Sequence, residues 1–135
     1  MYLFLIIEGC DDLQQLFFES SWDKTICVKD RQMIHDTYMK TKNDDNTIHF
    51  VPLWQALNHN ESLLVTVLVH NFSEKRLTFD HKVIKYFEDR KQMAEYVFHL
   101  PTLVVEAKTS MPWTFIFPKE SVDENAKLEN GYLGF

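Results

Sequence analysis

The stretch Leu63-Leu64-Val65-Thr66-Val67-Leu68-Val69 restricts the fold more than any other part of this chain. Six of its seven residues are aliphatic and three are β-branched valines, so it has no polar face to turn to water. A short run of this kind reads as a strand covered on both sides, in the middle of a sheet. The chain has the material to cover it. Its 135 residues are 45% apolar and include 11 Phe, 5 Tyr and 3 Trp, enough for the core of one domain and too few residues for two.

The rest of the chain reads as elements around that strand. Residues 2–7 form an apolar run, expected as an interior strand. Asp11 or Asp12 caps a short helix through Glu19, with Leu13, Leu16 and Phe17 at helical spacing. Residues 25–28 read as a strand, and Asp30 as the N-cap of a helix over 31–42. A third strand over 47–51 stops at Pro52, and residues 53–57 fit one helical turn. The central strand, 63–70, is expected to make a hairpin with 76–79. From Asp80 onward, Val83, Tyr86, Phe87, Ala94, Val97 and Phe98 trace an apolar stripe, which predicts a long packed helix over 81–100. Strands follow at 102–107 and 112–117, and Ser121 to Glu124 has capping-box spacing for a short helix reaching Asn130. The fold class expected is α+β: a single domain over 1–135, with a mixed or mainly antiparallel sheet. Val83→Asp and Phe87→Asp are expected to rank among the most damaging changes. With only 3 Gly, tight primed hairpin turns should be rare.

Charge narrows the ligand. The formal net charge is −6, and Lys and Arg are scattered along the chain. This disfavours nucleic acid and favours a basic protein as partner. Cys10 and Cys27 form no Cys-x-x-Cys motif and read as reduced thiols, which points to the cytoplasm. The apolar start of the chain ends at Glu8 and has no basic segment or cleavage site. It is too short to span a bilayer.

Chemistry is sparse. The run Leu103-Val104-Val105-Glu106-Ala107-Lys108 is an apolar strand ending in Glu-x-Lys. It resembles the second half of the PD-(D/E)xK nuclease signature. That resemblance implies that Glu106, with an upstream acid matching Asp80, holds Mg²⁺ while Lys108 activates the attacking water. The competing and preferred reading is that Glu106 and Lys108 are a solvated pair, with no catalytic or metal site and no cofactor. Acids at Asp44 and Asp45, together with Trp54, Trp113, Tyr132 and Phe135, then suit a protein-binding face. The function expected is that of a small acidic protein that binds and blocks a partner, of inhibitor, immunity or phage anti-defence type. A homodimer through an edge strand such as 113–117 is the other assembly weighed.

Overall fold

The computed structural model describes residues 14–43 and 47–135. Its elements are β1 (Gln15–Leu16), α1 (Ser20–Thr25), α2 (Val28–Thr41), β2 (Ile48–Leu57), β3 (Leu63–Asn71), β4 (Leu77–Glu88), β5 (Lys91–Val105), β6 (Thr109–Phe117) and β7 (Tyr132–Gly134). One sheet has the order β1-β6-β3-β2, with β1 parallel to β6 and the other pairs antiparallel. The second sheet is antiparallel, in the order β5-β4-β7.

Side-chain alternation along β3 explains how the two sheets and α2 are stacked. Leu63, Val65, Val67 and Val69 point into one apolar cluster with Ile84 and Tyr86 of β4, Phe98 and Leu103 of β5, and Phe115 and Phe117 of β6. Phe98 meets Phe115 and Phe117 edge-on, with ring centroids 5.3 and 5.2 Å apart. On the opposite face of β3, Leu68 packs with Ile34 and Tyr38 of α2 and with Val51 and Leu53 of β2. Polar residues on that face are paired. Thr66 and Thr114 hydroxyls lie 2.7 Å apart, and His70 bridges Ser110 Oγ (2.5 Å from Nδ1) and Thr41 Oγ1 (2.7 Å from Nε2).

The long helix expected over 81–100 is not there. Those residues belong to β4 and β5, two long strands joined at Asp89 and Arg90, both with positive φ (50° and 68°). Positive φ at both central residues defines the primed turn that matches strand twist. Asp tolerates the left-handed region because its short side chain hydrogen-bonds locally, so no glycine is required. The apolar stripe also fits a period of two. Ile84, Tyr86 and Glu88 are buried in alternation, while Val83 is 39% exposed and Phe87 half-buried. β-Branched and aromatic residues at Val83, Ile84, Tyr86, Phe87, Tyr96, Val97 and Phe98 suit a pleated surface better than a helix. The chain is therefore mostly β, a two-sheet sandwich with α2 outside it, and not α+β.

Smaller expectations change as well. Residues 25–28 are not a strand: α1 ends at Thr25, and exposed Cys27 N-caps α2, its Sγ accepting from the Asp30 amide at 3.4 Å. Gln15 and Leu16 are strand, not helix. Residues 53–57 continue β2 past a bulge between Pro52 and Trp54. Pro52 is tolerated because β2 is an outer strand. Strands β3 and β4 form no hairpin, since they lie in different sheets. Fully buried Asn71 secures that crossing, its Nδ2 donating to the carbonyls of Lys75, Val105 and Glu106 at 2.7, 3.0 and 3.1 Å. Only one 3₁₀ turn, Lys119–Ser121, stands in place of the helix over 121–130. The expected strand over 2–7, Cys10, and the loop acids Asp44 and Asp45 lie outside the described residues.

A buried polar chain fastens residues 127–131 to the second sheet. Glu88 accepts the Lys127 and Leu128 amides at 2.8 Å each and the Tyr86 hydroxyl at 2.6 Å. Gln55 donates to Tyr86 Oη at 2.8 Å and accepts the Gly131 amide at 3.0 Å. Gly131 has no substitute here, because a Cβ would stand 2.1 Å from Tyr86 Cε1. Burial on its own would raise the Glu88 pKa. The Tyr86 hydroxyl and the backbone amides of Lys127, Leu128 and Glu129 outweigh it and hold the carboxyl below its ordinary value of 4.5.

Two outcomes follow. Ile84→Ala lowers unfolding free energy by about 2–5 kcal/mol, while Val83→Asp next to it costs less; denaturant titration of both variants checks the order. Glu88 stabilises the fold at pH above its unfolded-state pKa, and this stabilisation is lost as pH falls through its lower folded-state value. Melting temperatures measured from pH 6 down to pH 3 should fall more steeply for the wild type than for Glu88→Gln.

Candidate functional site

Among the described residues, one flank of the sandwich is open. β1 covers β6 only at Thr109 and Ser110, so residues 111–117 have no strand on that side among the described residues. Pro112 sits in this stretch, where its missing amide hydrogen leaves no ladder bond unmade. β5 is the outer strand of the other sheet. Near its start it is met by a bridge between Ala94 and Val122 and by the Asp123 amide donating to the Met93 carbonyl at 2.7 Å. Between the two edges runs a groove of about 490 Å³ lined by Trp22, Tyr96, Val97, His99, Trp113 and Ile116, among others. Val97 and Ile116 are each 49% exposed. Trp22 is supplied by α1, whose first turn is capped by Glu19 accepting the Ser21 and Trp22 amides at 2.9 and 3.4 Å. An unpaired strand edge beside exposed apolar side chains is the arrangement that an added strand uses.

At one end of the groove, His99 joins a second feature. Phe79 pairs with Leu100 and Lys82 with Phe98, so Asp80 and His81 together oppose the single residue His99. This is a β-bulge, with His81 at φ 56°. In a regular strand, Asp80 and His81 would point to opposite faces. Here Asp80 Oδ1 lies 2.6 Å from His81 Nδ1 and 2.9 Å from His99 Nδ1, and the two rings are 4.9 Å apart. The hydrogen bond from His81, followed by that from His99 and the charges of both rings, outweighs slight burial and lowers the Asp80 pKa. All three side chains are exposed.

The residues matched to the nuclease signature are not assembled. Glu106 Oε1 is paired with Arg76 Nε at 3.1 Å, and Lys108 Nζ with Glu74 Oε1 at 3.3 Å. Val105, next to Glu106, pairs with Leu77, three residues along β4 from Asp80. Glu106 therefore falls opposite Arg76, four residues before Asp80, and at about 3.3 Å per residue the two backbones stand roughly 13 Å apart. A shared Mg²⁺ does not fit that spacing, and the group Asp80, His81, His99 excludes Glu106.

The aromatic residues expected to bind a partner are dispersed. Trp113 lies in the groove. Trp54 lines a separate hollow with Trp22, Ile26 and Cys27. Tyr132 stacks on Phe87 at 5.3 Å, and Phe135 meets Phe50 edge-on at 5.1 Å. Sequence reasoning, which picks out Trp22 and Trp113 as aromatics suited to a binding face, misses Tyr96, Val97, His99 and Ile116 beside them. They come from β5 and β6, and Tyr96, Val97 and His99 fall within the helix expected over 81–100, with only Val97 on its apolar stripe. The Ser110–His70 pair has the spacing of a nucleophile and its base, yet both side chains are fully buried and closed off by Thr41. It fastens α2 to the first sheet. A second concavity of about 420 Å³ has apolar Leu57, Leu63 and Leu128 in its lining, with Glu61, Asp123 and Glu124 among the acids.

Among the described residues, two mainly antiparallel layers, helix α2 packed outside them and an open strand flank define a β-sandwich module. Residues 16–132 match the SLAP domain family, and the chain belongs to that family. No curated protein and no solved structure shows a match. Among the described residues, no helix is long and apolar enough to cross a membrane.

The Arg76–Glu106 pair is exposed at both ends. Glu106→Ala therefore changes unfolding free energy by less than about 1 kcal/mol, checked by denaturant titration.

Proposed function

We propose that the protein acts by binding another protein, taking an extended segment of it onto the free edge of β6 in the groove beside β5. The observation that carries this reading is the stretch 111–117, unpaired on one side among the described residues and lying against a groove lined by Trp22, Tyr96, Trp113 and Ile116. Backbone hydrogen bonds to the edge would supply affinity, and the apolar hollows would select alternate side chains of the bound segment. The partner is basic. The chain's net charge of −6 attracts a cationic protein and repels a second copy of itself. Where the captured segment belongs to the partner's working surface, binding blocks it. The cytoplasm fits this reading, since the exposed thiol of Cys27 is suited to a reducing compartment.

Ile116→Lys places a charge on the edge without disturbing the core, since Ile116 is half-exposed. In affinity capture from the native host, wild type should retain a stoichiometric basic protein. Ile116→Lys should lose it, while the distant surface variant Val28→Lys keeps it. A partner held equally by wild type and Ile116→Lys, or no stoichiometric partner at all, overturns the reading. Sedimentation should show a monomer; a dimer abolished by Ile116→Lys assigns the edge to self-association instead.

A further inference from the structure

We infer that Asp80, His81 and His99 form a binding site for a divalent transition metal of the Zn²⁺ type. The inference stands apart from the docking proposal and rests on the geometry of the β4 bulge. Two imidazoles and one carboxylate present one ligand atom each, all within 4.8 Å of one another. The bulge sets two consecutive residues against His99, and its left-handed residue is His81. Backbone irregularities of this type re-aim side chains and concentrate at functional positions.

The donor set selects the metal. Imidazole nitrogen with carboxylate oxygen suits Zn²⁺ and its neighbours, whereas Mg²⁺ and Ca²⁺ prefer oxygen donors throughout. At bond lengths of about 2.0–2.2 Å, tetrahedral donors sit roughly 3.3–3.5 Å apart. The Asp80–His81 and Asp80–His99 separations of 2.6 and 2.9 Å therefore need to open by only several tenths of an ångström, and exposed side chains rotate that far freely. The metal takes the place of the hydrogen bonds between each Nδ1 and Asp80 Oδ1. In the metal-bound site each ring is neutral, with its Nδ1 lone pair on the metal and its one hydrogen on Nε2. Three protein ligands on an exposed ridge leave further positions for water or a donor from outside. His99 also lines the groove, so that open position is at its end.

Calorimetric titration of the untagged protein with Zn²⁺ tests this. One equivalent should bind, and Co²⁺ should give visible absorption bands on the same site. His99→Ala and Asp80→Asn should each weaken Zn²⁺ binding at least about tenfold, in line with the loss seen when metal sites are disturbed. His35→Ala, on the exposed face of α2, should leave it unchanged, and a large excess of Mg²⁺ should not compete. Circular dichroism of each variant verifies the fold. Failure of Zn²⁺ to bind, or binding that survives both His99→Ala and Asp80→Asn, overturns the site.

Discussion

Both faces of β3 must be kept dry, and the architecture follows from that requirement. Its odd-numbered residues from Leu63 to Val69 are covered by the second sheet, and Leu68 on the other face is covered by α2. A buried aliphatic side chain contributes roughly 1.5–3 kcal/mol relative to an exposed one, so leaving either face open would forfeit several of these at once. The aromatic residues Phe98, Phe115 and Phe117 fill the space between the layers from both sides. β3 is held in register by β2 and β6, which pair with it along its length.

Two of the buried polar side chains, Asn71 and Glu88, stand at the ends of strands. Asn71 stands at the passage from the first sheet to the second, and Glu88 at the end of β4 receives the returning C-terminal segment. Each satisfies several backbone groups at positions where the sheet ladder stops. Unpaired, those groups would carry the desolvation penalty of buried polar atoms. The Gln55–Tyr86–Glu88 chain also links the two sheets, since Gln55 belongs to β2 and the others to β4. This network is specific to one arrangement, whereas apolar packing alone tolerates many.

The open flank and the bulge share an origin in sheet edges. Strand stretches that lack a partner on one side tolerate proline, bulges and left-handed residues more readily than fully paired ones. Among the described residues, Pro112 lies beyond the two β6 residues paired with β1, and Asp80 and His81 lie outside the stretch of β4, 85–87, paired with β7. The features with functional promise therefore sit where the ladder is incomplete. In the buried centre the chain spends its chemistry on structure: His70 and Ser110 are closed in and bridge to α2.

Alternation, charge and composition were readable from the chain alone. They were enough to place an interior strand at 63–69, a helix over most of 31–41 and a strand at 112–117. The helix-or-strand state of 81–100 was not readable. Val83, Tyr86, Phe87, Ala94, Val97 and Phe98 satisfy a helical stripe nearly as well as a pleated one, and the turn that divides them has no glycine to mark it. Only the pairing of β4 with β5 against the β3 face chose between them, because burial of Ile84, Tyr86 and Phe98 depends on what lies across the core. The same holds for the candidate sites. Asp80 and His99 are nineteen positions apart and Trp22 is far from Trp113 in sequence, and hairpin register and sheet stacking brought each pair together. Local residue types determine which conformations a segment tolerates; contacts between distant segments decide which one buries its apolar surface.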